Sequence, residues 1–269
     1  MLQNIKKFFL RYKILTFVLS KIYILYNNLF LKKKINIFKD GDYYIHSTSH
    51  GKIAYPHPLF DPEEYVSKDY GIYFEKYIPK TNDVILELGS GIGNESIYMS
   101  KLIGEGGKIY CVEPLLEIFE TLKKTVKSNH INNMSLINKA LYNKKTKIGF
   151  SSGENWLASK IDNNSENLIE TFTLNDFVFD NKINKINFCK INIEGAERFI
   201  VNDSNDFFDI CDNLAIECHD FFYDKENQEE YITYELVKKF LISKNFNIEK
   251  SNRNKLDLDK YFMYATKLI

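Results

Sequence analysis

The stretch "ILELGSGIGNE" at residues 85–95 constrains the fold more than any other part of the chain. An apolar run ends near Glu87, three glycines follow at alternate positions, and a segment suited to a helix begins at Asn94. A strand that enters a glycine-rich turn and continues as a helix is typical of an open α/β sheet. Glycines there let the backbone approach a nucleotide-like ligand closely, and the helix N-terminus faces that ligand.

The spacing within this turn narrows the choice of ligand. The dinucleotide pattern requires glycine at position 94, where the chain has asparagine, and the Gly-Lys-Ser/Thr of a phosphate loop is absent. A carboxylate at Glu87 would lie close to a pyrophosphate, whereas it suits a ligand with a positive end. S-adenosylmethionine (SAM) carries an ammonium and a sulfonium, so we predict SAM as the cofactor. The predicted contacts from this turn are Glu87, Gly89, Ser90, Gly91, Gly93 and Asn94.

A second strand supports a nucleoside ligand. "GEGGKIYCVEP" predicts a turn and then a strand over 108–112 that ends at Glu113, 20 residues past Gly93, with Pro114 next. An acid at the tip of the second strand accepts hydrogen bonds from the two ribose hydroxyls. SAM and NAD share that ribose, so Glu113 alone does not separate them. The alternative for Glu113 is a solvated acid at a strand end.

From residue 70 onward, predicted strands and helices alternate. This pattern predicts an α/β fold with a mostly parallel seven-stranded sheet, helices on both faces and an antiparallel C-terminal hairpin. The predicted strands are 83–88, 108–112, 134–139, 169–173, 186–191, 213–218, 246–250 and 261–267. The predicted helices are 70–78, 94–103, 115–129, 174–179, 195–201 and 231–244.

Charge and cysteine usage exclude several classes of function. The first 39 residues hold nine Lys/Arg and no Asp or Glu, so the other 230 carry 27 basic and 36 acidic residues, a net charge of −9. An acidic body argues against nucleic acid as the substrate. The four cysteines form no C-x-x-C pair, which favours a reduced, cytoplasmic chain. The five histidines show no metal-ligand spacing, so no metal site is predicted.

Residues 1–38 form a basic and apolar block ahead of this pattern. On a helix, Lys6, Lys7, Arg11, Lys13 and Lys21 share one side and apolar residues cover the other. Such a helix suits an anionic membrane surface, but it would also pack on its own domain or on a second subunit, and a membrane span is the third alternative. We predict a helical extension and ordered connector over residues 1–69 and a cofactor-binding domain over residues 70–269.

The stretch "KINIEGAE" at residues 190–197 carries a resemblance to a known family. It resembles the FkbM family of SAM-dependent methyltransferases, whose hallmark reads lysine-isoleucine-aspartate-valine-glutamate-glycine-alanine-glutamate. Weaker matches are "KIYCVEP", "NKAL" at 138–141, "ETFTLNDF" and "LAIECHDF". The resemblance covers about residues 70–267. It implies a Rossmann-like class I methyltransferase fold, with Ala140 and Leu141 near the adenine.

Asn192 is the main departure from the family pattern, because it stands where the family has aspartate. An amide cannot take a proton near neutral pH, so a base at this position would be lost. Asn192 could still hold the SAM amino group or the acceptor. Glu194, Glu217 and His219 are the other candidate catalytic residues, since all follow strands predicted to end at the ligand-binding edge of the sheet. The alternatives are a carboxylate at a helix N-terminus for Glu194 and a surface loop residue for His219.

The family resemblance implies O-methylation of a hydroxyl, often on a sugar, a glycan or a secondary metabolite. Trp156, the only tryptophan, lies in "SSGENWLASK" and would either stack on a sugar ring or anchor its loop. A second hypothesis is a non-catalytic partner or membrane-associated scaffold subunit, motivated by Asn192 and by the N-terminal block. The predicted partners are a small-molecule or glycan acceptor, a peripheral membrane surface contacted by residues 1–38, and a second copy in a homo-oligomer. NAD-dependent reduction is disfavoured by Asn94 and Glu87.

Overall fold

The computed structural model describes residues 12–59, 61–152, 159–162, 165–202, 206–222, 229–253 and 259–268. Trp156 and the predicted helical positions Lys6, Lys7 and Arg11 lie outside the described residues. The described strands are β1 (Asn36–Asp40), β2 (Tyr43–Thr48), β3 (Gly51–Tyr55), β4 (Val84–Leu88), β5 (Lys108–Val112), β6 (Met134–Ile137), β7 (Ala140–Leu141), β8 (Lys147–Ser152), β9 (Ser159–Ile161), β10 (Leu168–Phe172), β11 (Ile186–Ile191), β12 (Cys211–Glu217), β13 (Phe246–Lys250) and β14 (Phe262–Lys267).

The described α-helices connect these strands. They are α1 (Lys13–Phe30), α2 (Pro62–Ser67), α3 (Tyr70–Tyr73), α4 (Asn94–Ile103), α5 (Leu116–Ser128), α6 (Leu174–Asp180), α7 (Asp206–Ile210) and α8 (Tyr234–Ser243). Short 3₁₀ helices cover Ala196–Asn202, Asp220–Phe222, Glu229–Tyr231 and Asp259–Tyr261.

A seven-stranded sheet forms the centre of the molecule, in the order β13-β14-β12-β11-β4-β5-β6. Strands β12, β11, β4, β5 and β6 pair in parallel, whereas β14 runs antiparallel to both of its neighbours. Apolar side chains on both faces of these strands are buried, because helices cover the sheet on each side. The predicted fold class and its antiparallel C-terminal hairpin are confirmed.

Strand β10 departs from the predicted series. The segment predicted at 169–173 forms a strand, but it belongs to a separate four-stranded sheet in the order β7-β10-β8-β9. Its neighbours are the two-residue strand β7, in parallel, and β8, antiparallel. The apolar pattern of β10 therefore indicated a strand correctly but could not indicate its pairing partner.

Two predicted helices are shorter or tighter than expected. The helix predicted over 70–78 is limited to Tyr70–Tyr73, and the one predicted over 195–201 is the 3₁₀ helix Ala196–Asn202. Gly195 precedes the latter with φ +93°, and an added Cβ would lie 2.6 Å from the Tyr231 ring. The chain turns sharply there, so an α-helical first turn does not form.

The N-terminal region is not the continuous helix predicted for residues 1–38. Helix α1 ends at Phe30, and β1 to β3 form a three-stranded antiparallel sheet in what was predicted to be a connector. This sheet packs on α5, where Thr125 Oγ1 accepts from Ala54 N (3.0 Å) and Asn129 exchanges hydrogen bonds with the Lys52 backbone. Ile53 belongs to the same buried cluster as Ile97 and Leu122. Among the described residues, no helix is long and apolar enough to cross a membrane.

Candidate functional site

The glycine-rich turn after β4 has a backbone that only glycine adopts readily. Gly89 has φ +76°, and an added Cβ would lie 1.7 Å from the Asn192 carbonyl oxygen, so a side chain is excluded there. Gly91 has φ +53° and faces open space, because no described atom lies within 4 Å of an added Cβ. The turn thus approaches β11 on one side and leaves a free concave surface on the other.

That free surface is one wall of a pocket at the carboxyl edge of the sheet, with a cavity volume of about 190 Å³. Open α/β sheets bind ligands at this edge. Eight of the ten predicted cofactor contacts line it: Gly89, Ser90, Gly91, Asn94, Glu113, Pro114, Ala140 and Asn192. Glu87 and Gly93 are absent from the lining, and Gly93 instead precedes α4, where an added Cβ would meet Leu122.

A buried charge cluster lies beneath the turn. The Lys190 ammonium donates to Gly89 O (2.8 Å), lies 3.6 Å from Glu87 Oε1 and 3.8 Å from Glu95 Oε2, and sits 4.8 Å from the centre of the Tyr73 ring. Burial raises the pKa of Glu95 to about 7, against the lowering effect of Lys190. Lys190 is therefore the positive partner of Glu87. Its hydrogen bond to Gly89 also connects β11 to the glycine turn.

Glu113 is held at the opposite side of the pocket by backbone donors. Its carboxylate accepts from Gly91 N (3.1 Å) and Leu115 N (3.0 Å). Burial raises its pKa to about 7 even though both hydrogen bonds lower it. Each carboxylate oxygen has a further lone pair. The geometry thus leaves Glu113 able to accept hydrogen bonds from a ligand's hydroxyls.

Asn192, Tyr73 and Glu217 form a hydrogen-bonded network at the pocket wall. Asn192 Nδ2 donates to Tyr73 Oη (2.7 Å) and to Glu217 Oε2 (2.9 Å), and Tyr73 Oη donates to the same oxygen of Glu217 (2.5 Å). Asn192 and Tyr73 line the pocket, whereas Glu217 lies behind them. Burial, followed by the nearby Glu217 charge, raises the pKa of Tyr73 well above its usual value, so this phenol stays protonated.

His219 occupies a second network, away from the pocket lining. Its Nδ1 lies 2.9 Å from Glu197 Oε1 and its Nε2 lies 3.5 Å from Glu194 Oε2. Burial lowers the pKa of His219, but the carboxylates of Glu197, Glu194 and Glu217 outweigh it and raise the pKa to about 9. The imidazole is thus a cation near neutral pH, which makes it a charge partner for Glu194 and unsuited to accept a proton.

Glu194 lies between the pocket and the His219 network. It lines the pocket, and its backbone has φ +53°, an uncommon conformation for a residue with a side chain. Residues held in such conformations cluster at functional sites. Burial, and then the neighbouring carboxylates, raise the pKa of Glu194 against the lowering effect of His219. The turn of the "EGAE" segment therefore directs a carboxyl group at the pocket.

Sequence reasoning missed several residues of the pocket wall. Lys190 is the first residue of "KINIEGAE", but no local pattern assigns a contact to its side chain. Tyr73 is separated from Asn192 by 119 positions, so no local pattern points to it. The other missed lining residues include Tyr65, Lys68, Asp69, Glu95, Lys139 and Phe150. Three of them precede residue 70, so the pocket crosses the predicted domain boundary.

The described residues fit SAM as the cofactor. Asn94 Oδ1 is buried at the pocket and has no hydrogen-bond partner in the described part of the chain, which suits an incoming ammonium. The open face of Gly91 leaves room for close backbone approach, and Glu113 is placed for ribose hydroxyls. Ala140, Leu141 and Phe150 supply apolar surface for a base. Asn94 also occupies the position at which a dinucleotide turn requires glycine.

A comparison with known protein families gives one match over most of the chain. The family model described as "Methyltransferase FkbM domain" matches residues 87–248. The matched region starts at Glu87, before the glycine turn, and extends through β11 and β12 to the last hairpin.

Relatives among curated proteins share shorter stretches. The chain is 34% identical over 67 residues to a protein-L-isoaspartate O-methyltransferase of Methanococcus maripaludis, covering 25% of this chain and 32% of that protein. It is 38% identical over 58 residues to the enzyme of the same name from Fervidobacterium nodosum, covering 22% and 29%. The chain thus spans about a third of the length of these curated relatives.

Solved structures with a similar backbone fold are more distant in sequence. Aeropyrum pernix fibrillarin, crystallised with natively bound SAM, is 14% identical, with 87% of this chain and 100% of that chain covered and a TM-score of 0.42. A putative rRNA methylase from Clostridium thermocellum is 13% identical, with 79% and 99% covered and a TM-score of 0.47.

Proposed function

Because the chain belongs to the FkbM methyltransferase family and is a SAM-dependent methyltransferase, we propose that its acceptor atom is a hydroxyl oxygen. The acceptor is a small molecule, namely a sugar, a glycan or a secondary metabolite. The observation that carries this proposal is the network of Tyr73, Asn192 and Glu217, which offers a route for the proton that a hydroxyl must lose.

The pocket residues have distinct roles in holding the cofactor. The backbone of the turn at Gly89 and Gly91 would approach it, Asn94 would accept from its ammonium, and Glu113 would accept from its ribose hydroxyls. When bound, SAM supplies a methyl group activated by the adjacent sulfonium. The remaining work of the protein is to position the acceptor oxygen and to receive its proton.

Tyr73 is the residue that receives the proton. A phenolic oxygen has two lone pairs, and Asn192 Nδ2 uses one of them, so the other can accept from an acceptor hydroxyl. As the new C–O bond forms, the methyl–sulfur bond breaks and S-adenosylhomocysteine is the leaving group, while the acceptor proton would pass to Tyr73 Oη and the Tyr73 proton to Glu217. Tyr73 thus remains a neutral phenol, and the Glu217 carboxylate ends protonated. Asn192 orients both groups without adding charge.

The family has aspartate at position 192, beside Glu217, whereas this chain has an amide there. We infer that this difference lets Glu217 act as the final proton acceptor. Asn192 Nδ2 lies 2.9 Å from Glu217 Oε2, and an aspartate would put a second carboxylate there. Two carboxylates at this distance cannot both ionise easily, and one pKa is strongly raised. With an amide in this position, Glu217 has no second carboxylate beside it and instead accepts hydrogen bonds from Asn192 and Tyr73. Glu194 and the His219 cation would shape the electrostatic field beside the acceptor.

The curated relatives motivate a different acceptor, a carboxylate on a protein. The name of these enzymes describes O-methylation of isoaspartate, whose carboxylate is already ionised near neutral pH and needs no base. Proton transfer through Tyr73 to Glu217 would then not be needed for the reaction. The net charge of −9 over residues 40–269 disfavours an RNA acceptor, as named for the second solved structure. These considerations favour an uncharged hydroxyl.

The acceptor experiment uses SAM labelled in its methyl group, with the purified chain and separate nucleotide-sugar, glycan, protein and RNA fractions from its source cells. We expect label in the nucleotide-sugar or glycan fraction as a methyl ether that survives mild alkali. Alkali-labile label confined to protein would indicate a carboxylate and contradict the hydroxyl proposal. SAM binding with no labelled fraction, and an intact paralogue that co-purifies, would favour the scaffold alternative.

The location we propose is the cytoplasm. All four cysteines are buried and free in the structure, at positions 111, 189, 211 and 218. Small buried thiols of this kind suit a reducing compartment. We keep residues 70–269 as the proposed cofactor-binding domain, with residues 1–69 as an extension that contributes Tyr65, Lys68 and Asp69 to the pocket.

A further inference from the structure

Helix α1 packs on its own chain with its polar side. Thr16, Ser20 and Asn27 are buried, although they are polar, and Ile24 lies between them against Ile35 and Ile37 of the β1–β3 region. The buried hydroxyl of Ser20 donates to the Thr16 carbonyl oxygen (2.7 Å), and Asn27 Nδ2 donates to the Tyr23 carbonyl oxygen (2.8 Å). The donor groups of these buried side chains thus find acceptors within the helix, which lets a polar face pack on a sheet, whereas Asn27 Oδ1 has no partner among the described residues.

The opposite side of α1 is apolar and exposed, the reverse of a surface helix that packs its apolar stripe on the core. Its residues recur at helical spacing over a helix about 27 Å long. We name this surface the α1 apolar face, and its residues are Ile14, Leu15, Val18, Ile22, Leu25, Tyr26, Leu29 and Phe30, each exposed by 45–82%. A continuous exposed apolar surface of this kind marks an interaction site.

Exposed lysines lie on α1 and in the segment that follows it, and two of them, Lys13 and Lys39, line a cavity with Asp42 and Glu117. Lys13, Lys21, Lys32, Lys34 and Lys39 are exposed, and residues 12–39 contain no Asp or Glu. Lys33, in contrast, pairs with Asp61 at 3.3 Å. The rest of the chain has the opposite net charge, so the positive charge is concentrated in the segment that contains α1, whose apolar side is exposed.

We propose that the α1 apolar face docks in the plane of an anionic membrane surface, with its apolar side chains between the headgroups and its lysines on lipid phosphates. A helix with one apolar face and neighbouring lysines binds through buried apolar area and attraction to anionic lipids. A second copy is a poorer occupant, because it would bring two sets of lysines together without acids from the same segment to compensate. This inference is independent of the acceptor proposed above.

The test is co-flotation of the full-length chain with vesicles of phosphatidylcholine and phosphatidylglycerol. The variant carries Ile22→Glu, Leu25→Glu and Leu29→Glu on the α1 apolar face. The matched control carries Leu168→Glu, Phe179→Glu and Ile242→Glu, which are exposed apolar residues outside α1 and give the same change in charge. Sedimentation at several protein concentrations, without lipid, measures self-association of the same three proteins.

We expect the unaltered chain and the control to float with the anionic vesicles. The affinity of the α1 variant for these vesicles should be lower by about tenfold or more. Binding should fall as salt rises and should be weaker on pure phosphatidylcholine. Failure of the unaltered chain to float, or equal flotation of the α1 variant and the unaltered chain, would overturn the proposal. If the unaltered chain does not bind vesicles but forms a dimer, and the α1 variant does not form that dimer, the α1 apolar face would instead be an interface with a second copy.

Discussion

Gly91→Ala should weaken SAM binding by about 100-fold, which corresponds to about 2.7 kcal/mol. The added methyl group meets no described atom of the protein within 4 Å, so it would protrude into the pocket where the cofactor must approach the backbone. A larger branched side chain in Gly91→Val should abolish binding, since it fills more of that space and resists a positive φ. Calorimetric titration with SAM measures both effects.

Gly41→Ala is the matched control for this substitution. Gly41 has φ +64°, close to the +53° of Gly91, and its added Cβ also meets no described atom. Both variants should lose about 1 to 2 kcal/mol of folding stability from the left-handed backbone. Only Gly91→Ala should lose cofactor affinity, because Gly41 lies in the turn between β1 and β2. If Gly91→Ala binds SAM with an affinity within threefold of that of the unaltered chain, the glycine turn does not form part of the cofactor site.

Glu217→Gln should lower the rate of methyl transfer by about 10² to 10⁴ at saturating SAM, the usual cost of removing a general base. A glutamine oxygen can still accept from Tyr73 and Asn192, so the network keeps its shape while its proton acceptor is lost. SAM affinity should stay nearly unchanged, because Glu217 lies behind the pocket lining. The assay uses the acceptor fraction that the labelling experiment identifies.

Tyr73→Phe should lower the rate in the same way, and Tyr264→Phe provides its control. Tyr264 is also buried, donates to the Ile72 carbonyl oxygen (2.7 Å) and lies 3.3 Å from a Glu75 carboxylate oxygen, but it does not line the pocket. Both substitutions remove a buried hydroxyl beside a carboxylate, so a general loss of stability would affect both alike. An equal loss of rate in the two variants would argue against a specific role for Tyr73.

Asn192→Asp separates the two roles that this position could have. If Asn192 only orients Tyr73 and Glu217, the change should leave the rate similar or lower, because the new carboxylate raises the pKa of its neighbour. A hundredfold gain, with Glu217→Gln and His219→Ala near full turnover, would mean that the aspartate typical of the family is the base. The chain would then be a weakened or non-catalytic relative.

The elements that the sequence predicted best are those in which local pattern and burial agree. The helix Asn94–Ile103 and the strands Lys108–Val112 and Ile186–Ile191 have their predicted bounds. Most of their apolar residues are buried, and a polar residue or a glycine follows each element, namely Gly104, Glu113 and Asn192, so neighbouring residues carry enough information. The fold class and the family resemblance followed from these same segments.

The elements that were missed depend on contacts between distant residues. The three-stranded sheet is held where Ala54 and Lys52 meet Thr125 and Asn129, more than 70 positions away. Helix α1 also contradicts the usual rule for its orientation, since its apolar side is exposed. Tyr73 reaches Glu217 across 144 positions, so the proton route could not be inferred from any one segment.

Binding of SAM at the glycine turn underlies every role assigned here, and calorimetric titration of the pure, unaltered chain tests it most directly. SAM, S-adenosylhomocysteine and NAD are titrated separately under the same conditions. We predict saturable binding of SAM and S-adenosylhomocysteine and no binding of NAD, because Asn94 replaces the glycine of a dinucleotide turn and its buried Oδ1 is placed to accept from the SAM ammonium. Saturable binding of NAD without binding of SAM would contradict the account.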